Sequence, residues 1–191
     1  MKSLLDYIQN INPLRQEALM EVQKCFRPMT LQKHDFFSKE GERAQKIGFL
    51  EKGVVRAFFL NEGGKEYTKQ FFTSGSIIGA YSSLLTKQPN RIAQQALTDC
   101  EILVADFSDL ERLYDLFHDF ERLGRRIAER YFLEKEQKEL EMALLDADMR
   151  YMIMKDRFPG LEGLVPQYHI ASYLGISPTQ LSRIRRKLSK A

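Results

Sequence analysis

The chain has 191 residues, with 29 Lys and Arg against 26 Asp and Glu, and 43% of its residues are hydrophobic. That length fits one large domain or two small ones, and the composition is that of a folded protein rather than a disordered chain. The net charge of +3 is unevenly distributed, because residues 147–191 hold eight basic and three acidic side chains and the other 146 residues carry a net −2. A basic end on a mildly acidic body is typical of DNA-binding regulators, and also of ordinary soluble proteins.

The cysteines and the N-terminus exclude several classes of protein. Cys25 and Cys100 stand alone, without a CxxC pair or a neighbouring histidine, so we expect no disulfide framework, no metal site and no iron–sulfur cluster. Residues 1–14 hold no apolar run long enough for a signal peptide, and nowhere do 18 apolar residues follow one another. The sequence therefore predicts a cytoplasmic protein without a membrane partner.

Glycines divide residues 41–79 into short segments that are rich in β-forming residues, and seven of the eleven glycines lie there. Turn residues about every eight to twelve positions between such segments are typical of an antiparallel roll or barrel. Asn61-Glu62-Gly63-Gly64 is a good hairpin turn, because glycine accepts positive φ without penalty. The predicted strands are 47–50, 54–60, 66–72, 76–78, 91–97 and 100–107.

The pattern becomes helical at Ser108. Ser108-Asp109-Leu110-Glu111 matches a capping box, in which a serine hydroxyl and a glutamate carboxylate satisfy free backbone N–H groups at a helix start. The spacing predicts one long helix from there to about Leu145, with an apolar stripe on one side. This helix stripe consists of Leu116, Phe120, Leu123, Ile127 and Tyr131. It suits a surface helix packed on the roll or a helix paired with its twin, and the length of the helix favours the dimer.

Residues 167–188 have the residue types of a helix-turn-helix at the required offsets. Pro166 can open the first helix, Gly175 can end it, and Ser177-Pro178 can open the second. The positions that must be apolar or small hold Ile170, Ala171, Leu174, Ile176, Leu181, Ile184 and Leu188. A plain helical hairpin with a solvated basic face explains the charge, but not this coincidence of residue types.

The spacing that buries those residues turns a polar face of the second helix outward. This reading face consists of Thr179, Ser182, Arg183 and Arg186. Arg183 is predicted to read guanine, since a guanidinium fork fits the O6/N7 edge of that base. Phosphate contacts are predicted for Arg185, Arg186, Lys187 and Lys190, with Ser177 and Gln180 near the positive end of the helix.

The order of a β-roll, a long helix and a terminal helix-turn-helix resembles the CRP/FNR family of bacterial transcription regulators, in the branch common in Bacteroidetes. The resemblance is carried by KHDFFSKEGE at 33–42, GFLEKGVVRAFF at 48–59, GKEYTKQFF at 64–72 and IASYLGISPTQLSRIRRK at 170–187.

The resemblance implies an α+β fold in three parts. They are an effector-sensing antiparallel β-roll at 1–107, of the jelly-roll type found in cyclic-nucleotide-binding domains, a dimerisation helix at 108–145, and a winged-helix-like helix-turn-helix without a full wing at 146–191. The resemblance also implies a homodimer that reads a pseudo-palindromic operator in double-stranded DNA, with RNA polymerase as a further partner.

Cyclic-nucleotide-binding members of the family carry a cassette with a Gly-Glu pair and, further on, an Arg followed by Ser/Thr-Ala. Residues 77–97 match it at Gly79 and Arg91, but Ala80 replaces the ribose-binding Glu and Ile92 replaces the hydroxyl residue. We therefore expect no tight cAMP binding in the usual mode, and the effector stays unknown. Other candidates for an effector pocket are Tyr81, Ser82 and Ser83, which are otherwise simply loop.

Other classes find less support in the sequence. The chain has no P-loop, HExxH, GxSxG or GxGxxG motif, so we do not expect an enzyme. His34, His118 and His169 form no constellation that would hold haem. The alternative is a ligand-sensing or protein-docking module with a vestigial helix-turn-helix, although such a motif has no need of a basic reading face.

We expect a mechanism in which the roll senses an effector and the helix of 109–145 transmits the change across the dimer. The two recognition helices would then move into or out of register with successive major grooves, as a population shift between dimer geometries.

Overall fold

The computed structural model describes residues 1–61 and 63–189. Two helices open the chain, α1 (Lys2–Ile11) and α2 (Gln16–Cys25). The strands are β1 (Arg27–Leu31), β2 (Phe36–Ser38), β3 (Lys46–Lys52), β4 (Val55–Leu60), β5 (Glu66–Phe72), β6 (Ser76–Ile78), β7 (Ala93–Ala96) and β8 (Cys100–Asp106), with α3 (Tyr81–Thr86) between β6 and β7. The later helices are α4 (Phe107–Leu116), α5 (His118–Leu144), α6 (Ala147–Arg157), α7 (Leu161–Leu164), α8 (Gln167–Leu174) and α9 (Pro178–Leu188).

The strands form two antiparallel four-stranded sheets that face each other. The inner sheet has the order β1-β8-β3-β6 and the outer sheet has the order β2-β7-β4-β5. Apolar side chains from both sheets fill the space between them, among them Leu50, Val55, Ile78, Ala96 and Ile102. This arrangement confirms the predicted antiparallel roll, because alternate residues of each strand turn inward.

All six predicted strands are present, and two of them have clearly different bounds. The strand predicted at 91–97 begins only at Ala93, because the Asn90 side chain holds a turn before it, accepting from Ile92 N–H at 3.0 Å and donating to Ile92 O at 2.6 Å. The strand predicted at 47–50 extends to Lys46–Lys52. The 61–64 hairpin turn closes as predicted where it is described, with Gly64 at φ +74 and its N–H on Asn61 O.

The single long helix predicted from Ser108 is in fact two helices, separated where Phe117 adopts an extended backbone conformation. The capping box is also wrong, since Asp106 precedes the first helical residue, no side chain caps α4, and Ser108 lies inside the first turn. The helix starts earlier because Phe107 is buried and its N–H donates to Gln45 O at 2.8 Å, which directs the chain straight from β8 into the helix.

The helix stripe packs within the chain. Phe120 and Leu123 are buried in a core formed with α1, α2 and α4, and Ile127 is partly buried against it. The Tyr131 hydroxyl hydrogen-bonds the backbone of β6, whereas Leu116 lies on α4 and is exposed. Contacts within the chain therefore bury Phe120 and Leu123, and they leave little of these two side chains for a dimer partner.

Candidate nucleic-acid interface

The backbone of the helix-turn-helix is held by the residues that the sequence singles out. Gly175 ends α8 with φ +70, a left-handed conformation that favours glycine. Ile176 N–H then donates to Ala171 O at 3.0 Å, which closes the turn. The Ser177 hydroxyl caps α9 by accepting from Gln180 N–H at 3.1 Å, and Pro178 occupies the first turn. Both helices are therefore where the sequence predicts them.

The apolar positions of the motif form one core with α6. Five of the predicted residues are buried, namely Ile170, Ala171, Leu174, Leu181 and Ile184. The other two, Ile176 and Leu188, are partly buried. Tyr151, Met154 and Phe158 on or next to α6 pack against them, a contribution that sequence spacing does not indicate. This core fixes the rotation of α9 about its axis, and hence which side chains reach solvent.

All four residues of the reading face, Thr179, Ser182, Arg183 and Arg186, are exposed. Together with Pro178 they line a shallow open groove. Within residues 1–61 and 63–189, neither Arg183 nor Arg186 lies within ion-pair distance of a carboxylate. Both guanidinium groups are thus available to a ligand that presents acceptors.

The other residues predicted to contact phosphates differ in the ion pairs that they make within the chain. Arg185 is exposed, and its Nε lies 3.1 Å from a Glu162 carboxylate oxygen that also accepts from the Tyr151 hydroxyl at 2.9 Å. Arg185 is therefore paired within the chain. Lys187 Nζ lies 2.5 Å from Asp148, whose hydrogen bond raises the pKa of that lysine. Lys187 remains exposed, and Lys190 lies outside the described residues.

The predicted effector-pocket residues surround α3. Tyr81, Ser82 and Ser83 are helical rather than loop, and Tyr81 packs edge-on against the Phe107 ring. The Ser83 hydroxyl is buried, and it donates its single proton to Gln88 O at 2.6 Å while accepting from Ala44 N–H at 3.0 Å. It has no donor left for a phosphate.

Along the chain, Gly79 precedes α3 and Arg91 follows it. Arg91 is exposed. Gly79 O accepts from the side-chain amide of Gln94 on β7 at 3.0 Å, and Gln94 is 4% exposed. Sequence spacing gives no sign of this buried Gln94, because a glutamine in a short strand is ordinarily a surface residue.

The end of α5 is joined to the helix-turn-helix by a half-buried polar network. Lys138 Nζ lies 3.3 Å from the centroid of the Tyr173 ring, and burial lowers the pKa of this lysine to about 8. Glu141 is 4% exposed and accepts from Arg157 at 2.5 Å, while Arg157 also donates to the Tyr173 hydroxyl at 3.2 Å. Sequence spacing does not indicate these pairs, since their members are far apart along the chain.

The described residues show neither a metal site nor a helix that could span a membrane. Among residues 1–61 and 63–189, no group of three His, Cys, Asp or Glu side chains is placed to hold a metal ion. In the same part of the chain, no helix has both the length and the apolar character that a membrane span requires.

Comparisons with known proteins extend over the roll and the helix-turn-helix. Residues 28–116 match the cyclic nucleotide-binding domain family. The transcriptional activator protein Anr of Pseudomonas protegens is 23% identical over 179 residues, which are 88% of this chain and 72% of that protein. FixK2 from Bradyrhizobium japonicum has a structure with a TM-score of 0.74 at 21% identity, covering 86% of this chain and 85% of that one.

A further solved structure comes from Eubacterium rectale and is assigned to the crp/fnr family of transcriptional regulators. It has a TM-score of 0.71 at 12% identity, covering 92% of this chain and 84% of that one. At such identities the structural likeness concerns the fold, and the coverage shows that the fold is shared across nearly the whole chain.

Proposed function

We propose that the chain is a DNA-binding regulator of the CRP/FNR type. In this proposal it is a homodimer that recognises a specific DNA sequence, acts in the cytoplasm and is not an enzyme. The observation that carries the proposal is the exposure of Arg183 and Arg186, on a helix whose opposite side is buried. Among the described residues, no carboxylate pairs with either guanidinium group. A helix presented in this way fits the major groove of B-DNA. The alternative function, a ligand-sensing or protein-docking module with a vestigial helix-turn-helix, does not explain why this face is basic and exposed.

The roles within the interface follow from the contacts of each side chain. Arg183 is assigned to guanine and Thr179 and Ser182 to neighbouring base edges, because these side chains are exposed on one face of α9. Arg186 and Lys187 are assigned to phosphates, as are Ser177 and Gln180 at the positive helix end. Arg185 is assigned a structural role instead, since Glu162 holds it.

The dimer contact is assigned to the side of α5 that faces away from the roll. This α5 outer face consists of Phe132, Leu133, Leu140 and Leu144, which are 64%, 62%, 49% and 75% exposed. Spacings of seven and four between the three leucines suit the seam of a coiled coil. Large apolar side chains exposed along one helix favour a covering partner, and a second copy of α5 presents the same seam.

The DNA-binding proposal is tested by selecting bound fragments of genomic DNA with the purified protein, which also reveals the half-site spacing. Arg183→Ala is then expected to weaken binding to the selected operator about 5- to 150-fold, the loss for one bidentate base contact, while binding to random DNA keeps its salt dependence. Fluorescence anisotropy on both DNAs at several salt concentrations measures this.

Arg185→Ala is the matched control, because it removes the same charge from the flank of α9 that Glu162 holds. We expect it to retain the wild-type ratio of operator to random-DNA affinity. Equal losses of Arg183→Ala on both DNAs would contradict the base-reading role, and failure of the wild type to enrich any fragment would contradict the function itself.

For the effector, the proposal is that the roll does not bind cAMP in the usual mode. The supporting observations are that Ala80 stands at the expected ribose acceptor and that the Ser83 hydroxyl is already engaged. Isothermal titration of the wild type with cAMP is expected to show no binding at micromolar concentrations. Micromolar affinity that disappears in Arg91→Ala would overturn this proposal. RNA polymerase is a proposed partner on the family resemblance alone.

A further inference from the structure

The first helix of the helix-turn-helix lies along the edge of the outer sheet. The order β2-β7-β4-β5 makes β5 an edge strand, and an edge strand has backbone groups without a strand partner. Ser172 on α8 fills two of these places, because its hydroxyl accepts from Thr68 N–H at 2.9 Å and donates to Glu66 O at 3.0 Å. The helix is therefore fixed along the strand as well as packed against it.

A buried arginine fixes the same helix from the neighbouring strand. Arg56 on β4 is 3% exposed, and its Nη1 donates to Glu66 at 2.5 Å and to His169 Nδ1 on α8 at 2.8 Å. Its Nε and Nη2 donate to Gln95 Oε1 on β7 at 3.2 and 2.9 Å, and its guanidinium carbon lies 3.8 Å from the centroid of the Phe58 ring. One side chain of this Arg56 cluster thus joins β4, β5, β7 and α8.

The apolar contacts at this junction hold the motif without fixing its direction. Phe71 on β5 packs against Phe158 at 6.0 Å and Tyr173 at 5.1 Å between ring centroids. Apolar burial is non-directional, whereas a planar guanidinium fork demands its acceptors at fixed angles. Buried ionic groups add little net stability for their desolvation cost, and their best-attested use is to specify one arrangement. The Arg56 cluster is therefore suited to setting an orientation.

The strands that carry the cluster also line the interior of the roll. Successive side chains of a strand point to opposite faces, so Gln95 lies on the same face of the outer sheet as Arg56, while its neighbour Gln94 faces the space between the sheets. Gln94 donates to Gly79 O, at the start of the predicted effector region. A continuous series of contacts thus runs from Gly79 through β7 and Arg56 to His169 on α8.

We propose that Arg56 is the positioning residue through which the roll sets the direction of the recognition helix, acting on His169 and α8. The reading face is exposed while the cluster is formed, so the cluster orients this face and does not cover it. The route runs through the outer sheet, not along α5. The proposal rests on the function proposed above.

The test compares His169→Asn with His169→Leu, which have similar shapes. The amide oxygen of Asn can replace Nδ1 as the acceptor for Arg56. Leu offers no acceptor, so Arg56 keeps Glu66 and Gln95 but loses its bond to α8. Arg56→Lys tests the fork itself by keeping the charge, and Arg27→Lys is its control, because Arg27 pairs with Asp106 on β8 of the inner sheet. The probes are the operator fragment selected with the wild type, a random fragment of equal length, and hydrogen exchange at the Thr68 amide.

We expect His169→Leu and Arg56→Lys to weaken operator binding at least tenfold, to keep random-fragment binding within twofold at low salt, and to speed exchange of the Thr68 amide. His169→Asn and Arg27→Lys are expected to stay within threefold of the wild type in all three measurements. If Arg56→Lys fails to fold, the two His169 variants decide. Operator binding of His169→Leu within twofold of the wild type, equal losses on both fragments, or an unchanged Thr68 amide would overturn the proposal. Wild-type operator binding reports separately on the function.

Discussion

His169 shows what burial does to a single residue between the roll and the helix-turn-helix. It is 4% exposed, and its Nδ1 accepts from Arg56, so the ring is neutral and carries its proton on Nε2. Desolvation by burial, and then the charge of Arg56, lower its pKa to about 4. The negative charge of Glu66 acts in the opposite direction, and His34 contributes a smaller lowering. A protonated ring here would face a cation with no proton acceptor to offer.

This residue gives stability a pH dependence of definite sign. The unfolded chain takes up a proton on His169 near pH 6.5 but the folded chain only near pH 4, so the stability it contributes is complete above pH 6.5 and is lost between those values. We expect the free energy of unfolding to fall by about 2 kcal/mol from pH 7 to pH 5 through this group. Urea unfolding at the two pH values measures it.

The matched variant is His169→Asn, which keeps the acceptor but does not titrate. Its stability is expected to change less over the same range, and the difference between the two proteins isolates His169 from the exposed His34 and His118. Parallel pH profiles for the two proteins would refute the assignment. Most carboxylates remain ionised down to pH 5, so they contribute little to the comparison.

At the scale of elements, α5 is a helix with two apolar sides that serve different contacts. One side, with Phe120 and Leu123, lies in the core formed with α1, α2 and α4. The other is the α5 outer face, with Leu133, Leu140 and Leu144 in solvent. Apolar spacing in the sequence predicts the first side, but it cannot tell whether the roll or a second copy covers it, because either contact satisfies the helical period.

The assignment of the α5 outer face to the dimer can be checked by adding a charge to it. Leu140→Glu is expected to raise the dimer dissociation constant at least tenfold, because an unpaired carboxylate would be buried in the seam. Analytical ultracentrifugation over a concentration series measures the constant. The control is Met20→Glu on α2, a side chain that is 51% exposed on a different element. A Leu140→Glu protein that dimerises like the wild type would place the contact elsewhere.

At the scale of the whole molecule, the helix-turn-helix shares its apolar core with the roll. Val54, Phe71 and Leu97 of the roll belong to the same apolar cluster as Phe158 and Leu174. The domain boundary predicted near residue 146 divides the chain between the long helix and the helix-turn-helix. In space, residues from both sides of that boundary share one buried core. An effector that moves the outer sheet would therefore act on the motif directly, without relying on α5.

The sequence by itself determined six of the strands, the two helices of the helix-turn-helix and the chemistry of the reading face. Turn residues and local periodicity depend on neighbours a few positions away, so the roll, Gly175, the Ser177 cap and the exposed side of α9 could all be read from the chain. Only the tertiary structure decided where α4 begins, which side of α5 is buried, that Glu162 holds Arg185, and that Arg56 meets His169. The last pair is 113 residues apart in the chain. Such contacts depend on how finished elements pack, and apolar spacing along one element carries no information about the partner that it will meet.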